Sequence, residues 1–260
     1  MYSSHDITVI VTSYNESATI RDCLISILEQ NYPPKSIIVI DDFSNDIDLT
    51  SNIIRSLNKI YKIQIDLIVN NKNIGPGLSR NKAWQFVKTD LVGFLDADDL
   101  YFQNKLKYQI EIFNNFPKVS IVSGNKLLNK KISNSEVNIS KIKNLNFYKL
   151  LFFNDIATSS VLIKSNLKNR FLHTYYSEDY YLWLLTLYEK NLIIHIDSNL
   201  CSQNFKYIYK NNLSSNFLKM EIGIQRAISS YYSKNFYLIL LLITAQIFSI
   251  LKLIRRFLIK

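Results

Sequence analysis

The sequence predicts an α/β domain built on a mostly parallel sheet, and three observations carry that expectation. Apolar, β-branched runs at residues 7–11, 37–40 and 91–95 alternate with segments of helical period, the order that builds successive βαβ units. The runs are continuously apolar, as strands covered on both faces are. Each ends in a polar or acidic cluster, at residues 12–16, 41–42 and 96–99. Parallel strands bring such clusters to one edge, the edge at which open α/β sheets bind their ligands.

In chain order, the first strand ends in Thr12-Ser13-Tyr14-Asn15-Glu16, and Ile20, Leu24, Ile27 and Leu28 then mark a helix that stops at Asn31 and Pro33-Pro34. The second strand runs into Asp41-Asp42-Phe43-Ser44, followed by a helix at Ile53, Ile54, Leu57 and Ile60. Ile63, Ile65, Leu67 and Val69 alternate as a third strand. It leads through Asn71-Lys72-Asn73-Ile74-Gly75-Pro76-Gly77 to a helix carrying Arg80, Asn81, Ala83 and Trp84. The fourth strand feeds Asp96-Ala97-Asp98-Asp99, after which Leu106, Ile110 and Phe113 define a helix and 119–122 a strand. Residues 126–146, rich in Lys, Asn and Ser, read as a long excursion that is either an active-site lid or an insertion. Apolar character returns at 145–153, a strand follows at 160–163, and a helix begins at Glu178-Asp179 with Tyr181, Leu182, Trp183, Leu184 and Leu187 before a strand at 193–196.

A chain of 260 residues suffices for one large domain and an appendage. With 48% hydrophobic and 13% aromatic residues, it is not disordered. The formal net charge of +10 raises nucleic-acid binding. No helix-turn-helix, RNP-like or zinc-finger pattern accompanies it and the aromatics lie mainly in apolar stretches, so no nucleic-acid partner is expected. Cys23 and Cys201 show no metal or redox spacing. Residues 1–6 are polar and precede only a strand's length of apolar residues, so no signal peptide is read and a cytoplasmic setting is expected.

Three carboxylates within residues 96–99 need a counter-charge. Lysines could supply it, but a hard divalent cation suits the pattern better, because Mg²⁺ and Mn²⁺ take one or two carboxylates and fill the rest with water and substrate phosphates. The plainer reading is a solvated turn with Asp99 capping the next helix. Polar clusters after three successive strands weigh against that. Asp179 also fits a helix cap, yet its apolar and aromatic neighbours are the setting that lifts a carboxyl toward the range of a useful base.

Taken together, residues 9–16, 40–46, Asn73-Ile74-Gly75 with Arg80-Asn81, 94–99 and 177–184 resemble the inverting family-two glycosyltransferases of the GT-A fold, particularly bacterial enzymes of surface-polysaccharide assembly such as O-antigen or capsule. The matches occur in family order between residues 7 and 200. The resemblance implies a glycosyltransferase domain over 1–215, its nucleotide-binding part about 1–124 and its acceptor part about 125–215, followed by a helical membrane-associating segment over 216–260. It implies a nucleotide-sugar donor, UDP-linked, held by Thr12, Tyr14, Glu16, Asp41, Asp42, Asn73, Gly75, Arg80, Asp96, Ala97, Asp98 and Glu178. Mn²⁺ or Mg²⁺ would sit on Asp98 with Asp96, and Asp179 falls where the family places its catalytic base. His173 and His195 are minor candidates, His195 as a strand residue. The chain departs from the family at Asn166 to Leu172, where relatives carry a Gly-Gly-Phe-Asp-like turn, and at Gln203-Asn204-Phe205-Lys206-Tyr207, where Lys206 or Tyr207 would replace a diphosphate contact. A sugar-phosphate nucleotidyltransferase would show a Gly-rich loop after the first strand, but the first glycine is Gly75. A dinucleotide oxidoreductase would need GxGxxG. A non-catalytic, membrane-docked nucleotide-sugar-binding protein would have no need of Asp42, Asp98 and Asp179 together.

The C-terminal part turns helical from Phe217, and residues 236–251 are strongly apolar, fewer than the roughly 20 that span a bilayer. Gln246, Ser249, Lys252, Arg256 and Lys260 recur every three or four positions with Arg255 beside them, while Ile247, Ile250, Leu251, Ile254 and Leu258 take the other side. That pattern predicts an amphipathic helix lying in the membrane interface with a basic polar face. It would place the protein on the cytoplasmic side of the cell membrane, facing a lipid-linked or oligosaccharide acceptor. A packed C-terminal helix or a dimer contact is the alternative.

Overall fold

The computed structural model describes residues 5–127, 141–203, 216–231 and 236–258. The apolar runs become β1 (Ile7–Ser13), β2 (Ser36–Asp41) and β4 (Leu91–Asp96), buried on both faces, while the alternating β3 (Gln64–Val69) is half-exposed at one end of the sheet. Adding β5 (Asp99–Tyr101), β6 (Val119–Leu127), β7 (Ile142–Asn144), β8 (Leu162–Lys164) and β9 (Leu192–Gln203), the described residues form a nine-stranded sheet in the order β3-β2-β1-β4-β8-β6-β9-β5, with β7 also on β9. β1 to β4 are parallel. β8 runs against both β4 and β6, so β6 and β9 recover the direction of β1. β5 and β7 are antiparallel to β9. The sheet is therefore mixed, with six of nine described strands pointing one way.

Alternation along the strands divides the core into two layers. On one face α1 (Ile20–Leu28), α2 (Ile47–Ile60) and α4 (Lys105–Asn115) cover Val9, Val11, Val39 and Leu95. On the other, α3 (Pro76–Trp84), α5 (Phe147–Phe152), α6 (Glu178–Tyr188), α7 (Phe217–Ser229) and α8 (Phe236–Leu258) cover Ile10, Ile40, Val92 and Phe94. Phe94 and Phe171 meet edge-to-face at 5.1 Å, with Trp183 6.0 Å from Phe171. Side chains of this size contribute roughly 1.5–3 kcal/mol each when fully buried, and this layer seats α6, the helix that carries Glu178 and Asp179.

Three expectations are corrected, and one element is added. Asp99 is not a helix cap: it opens β5, is fully buried, and α4 starts instead after Asn104. The excursion is shorter at both ends, because Lys126 and Leu127 extend β6 and Ile142–Asn144 forms β7; the lid expectation falls on 128–140, outside the described residues. The apolar stretch at 145–153, to which the sequence assigned no element, contains α5, capped by the Asn146 side chain accepting from the Tyr148 N–H at 2.8 Å. The strand expected at 160–163 starts at Leu162, since Thr158–Ser160 is a 3₁₀ turn, and β9 runs on to Gln203 because its second half carries β5.

The C-terminal helix is amphipathic, and its polar side is the one that packs on the protein. Gln246 Nε2 donates to Ser229 Oγ (2.9 Å), Ser249 Oγ to Glu221 Oε2 (2.8 Å) and Lys252 Nζ to the Phe152 carbonyl (3.0 Å), so the polar side faces α7 and α5. Leu240, Ile243, Ile247, Ile250, Leu251, Ile254 and Leu258 are exposed. The protein supplies polar partners on the inner side, so the apolar side is left outside. Tyr237–Arg255, 19 residues, also reaches by length and composition what a membrane crossing requires, beyond the shorter stretch read from sequence. The Arg256 side chain and Lys260 lie outside the described residues.

Candidate active site

The first two loops are stitched together at the carboxyl ends of β1 and β2. Asn15 takes a left-handed conformation (φ 55°), which Asn tolerates well. There its N–H donates to Ser44 Oγ and its Oδ1 accepts from the Asn45 N–H, both at 2.8 Å. Asp41 is buried and accepts from the Ser44 N–H (2.8 Å) and Ser44 Oγ (2.6 Å), so it holds the loop from behind. Asp42 accepts from Asn70 Nδ2 (2.9 Å), the Ile74 N–H (2.9 Å) and the Gly75 N–H (2.7 Å), which pulls the third loop onto the second. Gly75 has φ 86°, and a Cβ there would lie 3.2 Å from the Tyr175 ring, whose hydroxyl donates to Asn73 Oδ1 at 2.6 Å. Tyr14 and Phe43 remain about half exposed on these loops. Glu16 accepts from Thr19 Oγ1 at 3.0 Å.

The acidic run separates its carboxylates by environment. Asp96 Oδ1 accepts from Thr12 Oγ1 (2.8 Å) and forms an ion pair with Arg80 (2.6 Å), while the Ala97 N–H donates to the Thr12 carbonyl at 2.9 Å. Burial opposes ionisation of Asp96, but Arg80 and Lys126 outweigh it and its pKa lies below the ordinary value. Asp99 is paired with Lys126 at 2.5 Å and accepts from Ser159 Oγ; burial still raises its pKa. Among the described residues, no hydrogen bond or ion pair reaches the Asp98 carboxylate. Burial, then Asp99 and Asp96, push it up to about 7.

Across the cleft, Arg80 joins the run to the start of α6, pairing with Glu178 at 2.8 Å and lying 5.2 Å over the Phe171 ring. Burial works against its charge, yet Asp96 and Glu178 overcome it and the guanidinium stays protonated. Burial lifts Glu178 to about 7 against the pull of Arg80. Asp179 accepts from Thr158 Oγ1 (2.8 Å) and the Tyr180 N–H (2.7 Å), and burial raises its pKa despite those bonds. The turn before α6 is wedged in place. Ser177 has φ 55°, its hydroxyl donates to the Met220 carbonyl (3.1 Å), and a Cβ on Gly223 would fall 2.2 Å from the Tyr176 carbonyl oxygen.

Thr12, Arg80, Asp96 and Glu178 thus form one network, and Asp42, Asn73 and Gly75 another. His173 is exposed on the loop before α6, His195 is a buried β9 residue as expected, and Lys206 and Tyr207 lie outside the described residues. Sequence reasoning missed Lys126, Thr158 and Ser159. A hydroxyl run, Thr158-Ser159-Ser160, was the available signal; Lys126 gave none.

Do these residues fit a divalent cation? Among the described residues no three carboxylate, imidazole or thiolate groups converge as a ready-made cage. A carboxylate that no described group hydrogen-bonds, beside a second one that is bonded through Oδ1, is nevertheless the oxygen-donor set Mn²⁺ or Mg²⁺ takes when substrate phosphates complete the shell. Asp98 and Asp96 fit the ion.

The model of glycosyl transferase family 2 matches residues 8–170. The chain is 28% identical over 222 residues to the Escherichia coli UDP-Glc:alpha-D-GlcNAc-diphosphoundecaprenol beta-1,3-glucosyltransferase WfgD, covering 82% of this chain and 81% of that one. It is 35% identical over 105 residues to the Bacillus subtilis putative teichuronic acid biosynthesis glycosyltransferase TuaG, 40% of each chain. Among solved structures, S. aureus TarS 1-349 in complex with UDP-GlcNAc is similar with a TM-score of 0.66 at 18% identity, over 91% of this chain and 70% of that one. The mannosyltransferase PcManGT from Pyrobaculum calidifontis, in complex with GDP-Man and Mn²⁺, gives 0.65 at 18% identity over 95% and 75%. These likenesses establish the GT-A fold. With the family model spanning more than half its length, the chain belongs to glycosyl transferase family 2.

Proposed function

We propose that this protein is an inverting, metal-dependent glycosyltransferase that moves a sugar from a UDP-sugar to a hydroxyl of a lipid-linked or growing glycan acceptor in surface-polysaccharide synthesis. The observation that carries the reading is the convergence, through Arg80, of an acidic run holding one unpartnered carboxylate with the two acids that open α6, Glu178 ion-paired to Arg80 and Asp179 hydrogen-bonded to Thr158. UDP is supported by the donor named for the WfgD relative and by the ligand of TarS.

Asp179 takes the proton from the acceptor hydroxyl, and its raised pKa gives it the basicity for that transfer. The acceptor oxygen attacks the anomeric carbon as the bond to the nucleotide breaks, and the electron pair leaves with the diphosphate. One in-line displacement inverts configuration, so an α-linked donor gives a β-glycoside. Thr158 orients the base, and Arg80 carries fixed positive charge between the two carboxylate groups. Asp98 and Asp96 are the residues that would hold Mn²⁺ or Mg²⁺, which when bound offsets charge on the departing diphosphate. The exposed apolar stripe of α8 supports seating at the cytoplasmic membrane surface. The packing and hydrogen bonds of the opposite side of α8 against the domain support a helix that lies in the interface over one that crosses it.

The test is a panel of UDP-, GDP- and dTDP-sugars screened with Mn²⁺ by thermal shift and by donor hydrolysis. UDP binding and turnover of at least one UDP-sugar are expected. A protein that binds no nucleoside diphosphate and turns over no nucleotide-sugar ends the enzyme reading.

A further inference from the structure

On the sheet face that carries α6, a cavity of about 180 Å³ opens between β7, the bulged ends of β6 and β9, and α5. Its back wall is a chain of polar contacts. Asn125 Nδ2 donates to Asp197 Oδ1 (3.3 Å), which fixes the amide so that Asn125 Oδ1 accepts from His195 Nε2 (2.9 Å). His195 Nδ1 then accepts from Ser123 Oγ (3.0 Å), leaving a neutral imidazole. Burial holds the His195 pKa below its ordinary value, in agreement. Lys143 closes the chain on Asp197 at 2.9 Å.

The remaining lining includes Lys149, Asp155, Phe153 and Ile156. Two lysines face two aspartates and the histidine is neutral, so the cavity carries no net charge. Fixed polar groups on one wall and aromatic and aliphatic surface on the other match a pyranose ring, which has hydroxyls around its rim and C–H groups on its faces. A phosphate or carboxylate would meet Asp155 and Asp197 without a surplus of positive charge to offset them. The volume suits one ring.

Position ties this cavity to the reaction. Asp155 and Ile156 run directly into Thr158, which donates to Asp179, and Asn125 precedes Lys126, the partner of Asp99. Phe153 meets Phe248 of α8 at 5.5 Å and lies under Lys252 at 5.4 Å, so the cavity also borders α8. We infer that it is the acceptor subsite, taking an uncharged hexose or N-acetylhexosamine unit and presenting its hydroxyl to Asp179. This rests on the glycosyltransferase reading above.

Ligand-observed saturation-transfer NMR on the full chain, with UDP and diamagnetic Mg²⁺ present, tests it. The probes are glucose and N-acetylglucosamine, with glucuronate and glucose 1-phosphate as charged controls. The expected result is a signal from a neutral sugar several-fold stronger than from either charged one, lost in Asn125→Leu and in Phe153→Ala while the UDP signal persists. Phe153 is half exposed, so its variant keeps the test valid if Asn125→Leu does not fold. The subsite is overturned if UDP binds but no neutral sugar is saturated, if the charged sugars equal the neutral ones, or if the signal survives in folded variants. Absence of UDP binding by the unaltered protein overturns the glycosyltransferase reading, and the subsite with it.

Discussion

Asp98 and Asp179 are both lifted by burial, yet their surroundings give them different work. Asp98 has no protein partner among the described residues, whereas Asp179 is oriented by Thr158 and a backbone N–H. Asp98→Ala should reduce UDP affinity in Mn²⁺ to that of chelator-treated protein, by about tenfold or more as for loss of a metal-site group; calorimetry with and without Mn²⁺ checks this. Asp179→Asn keeps an acceptor for Thr158 but cannot take a proton. Transfer should fall by about 10²–10⁴-fold with UDP affinity retained, and near-normal transfer would reduce Asp179 to a helix cap. Lys105 offers a third test, away from the cleft. It is fully buried, its Nζ donates to Gln109 Oε1 (2.8 Å) and the Val161 carbonyl (3.3 Å), and burial pushes its pKa down to about 7. The unfolded chain then binds more protons between pH 7 and the ordinary lysine value of about 10.4, so stability rises with pH across that window. Denaturant melts should show a slope worth a few kcal/mol in total, flattened in Lys105→Met. Asp41, Asp42, Asp96 and Asp98 were legible because they lie at or just past the ends of strands, and Glu178 and Asp179 because they open a strongly apolar helix. Lys126 and Thr158 were not, because Lys126 reaches Asp99 only once β6 and β5 both pair with β9, and Thr158 reaches Asp179 only once the reversed β8 places the 3₁₀ turn beside β4.

Periodicity located α8 and its two sides, but not which side meets the protein. That depends on Ser229 and Glu221 of α7 and the Phe152 carbonyl ending α5, none of which is readable from the helix itself. The outward stripe makes a sharp prediction. Replacing Leu240, Ile247 and Ile254 together by Ser should abolish flotation with anionic vesicles while changing stability by only about 0.5 kcal/mol per site, as for surface positions. Leu242→Ser, in the packed side, should instead unfold the protein at markedly lower denaturant. The contact between α7 and the catalytic turn is as close as the backbone allows. Gly223→Ala must shift either partner, at a cost of about 1–3 kcal/mol for overpacking. Its expected signature is a lower kcat with unchanged UDP affinity, because the displaced turn carries Asp179 and not the loops at β1 and β2.

At the scale of the whole molecule, one sheet runs from β3 to β5, and the reversed β8 is the joint between its parallel half and its mixed half. The parallel half could be foreseen, since β1, β2 and β3 are each followed by a helix and β4 repeats their apolar run. The mixed half could not, because β5, β7 and β8 have only three residues each, too few for a period to register. Strand direction has one more consequence. With the proposed chemistry gathered at the carboxyl ends, the opposite rim, where 29–35, 61–63 and 85–90 connect helix to strand, holds none of the groups proposed to meet donor or metal. That rim is the natural place to splice in foreign sequence. A peptide tag inserted after the exposed Lys62 gives a handle for immobilising the enzyme with its cleft and its apolar helix both left free.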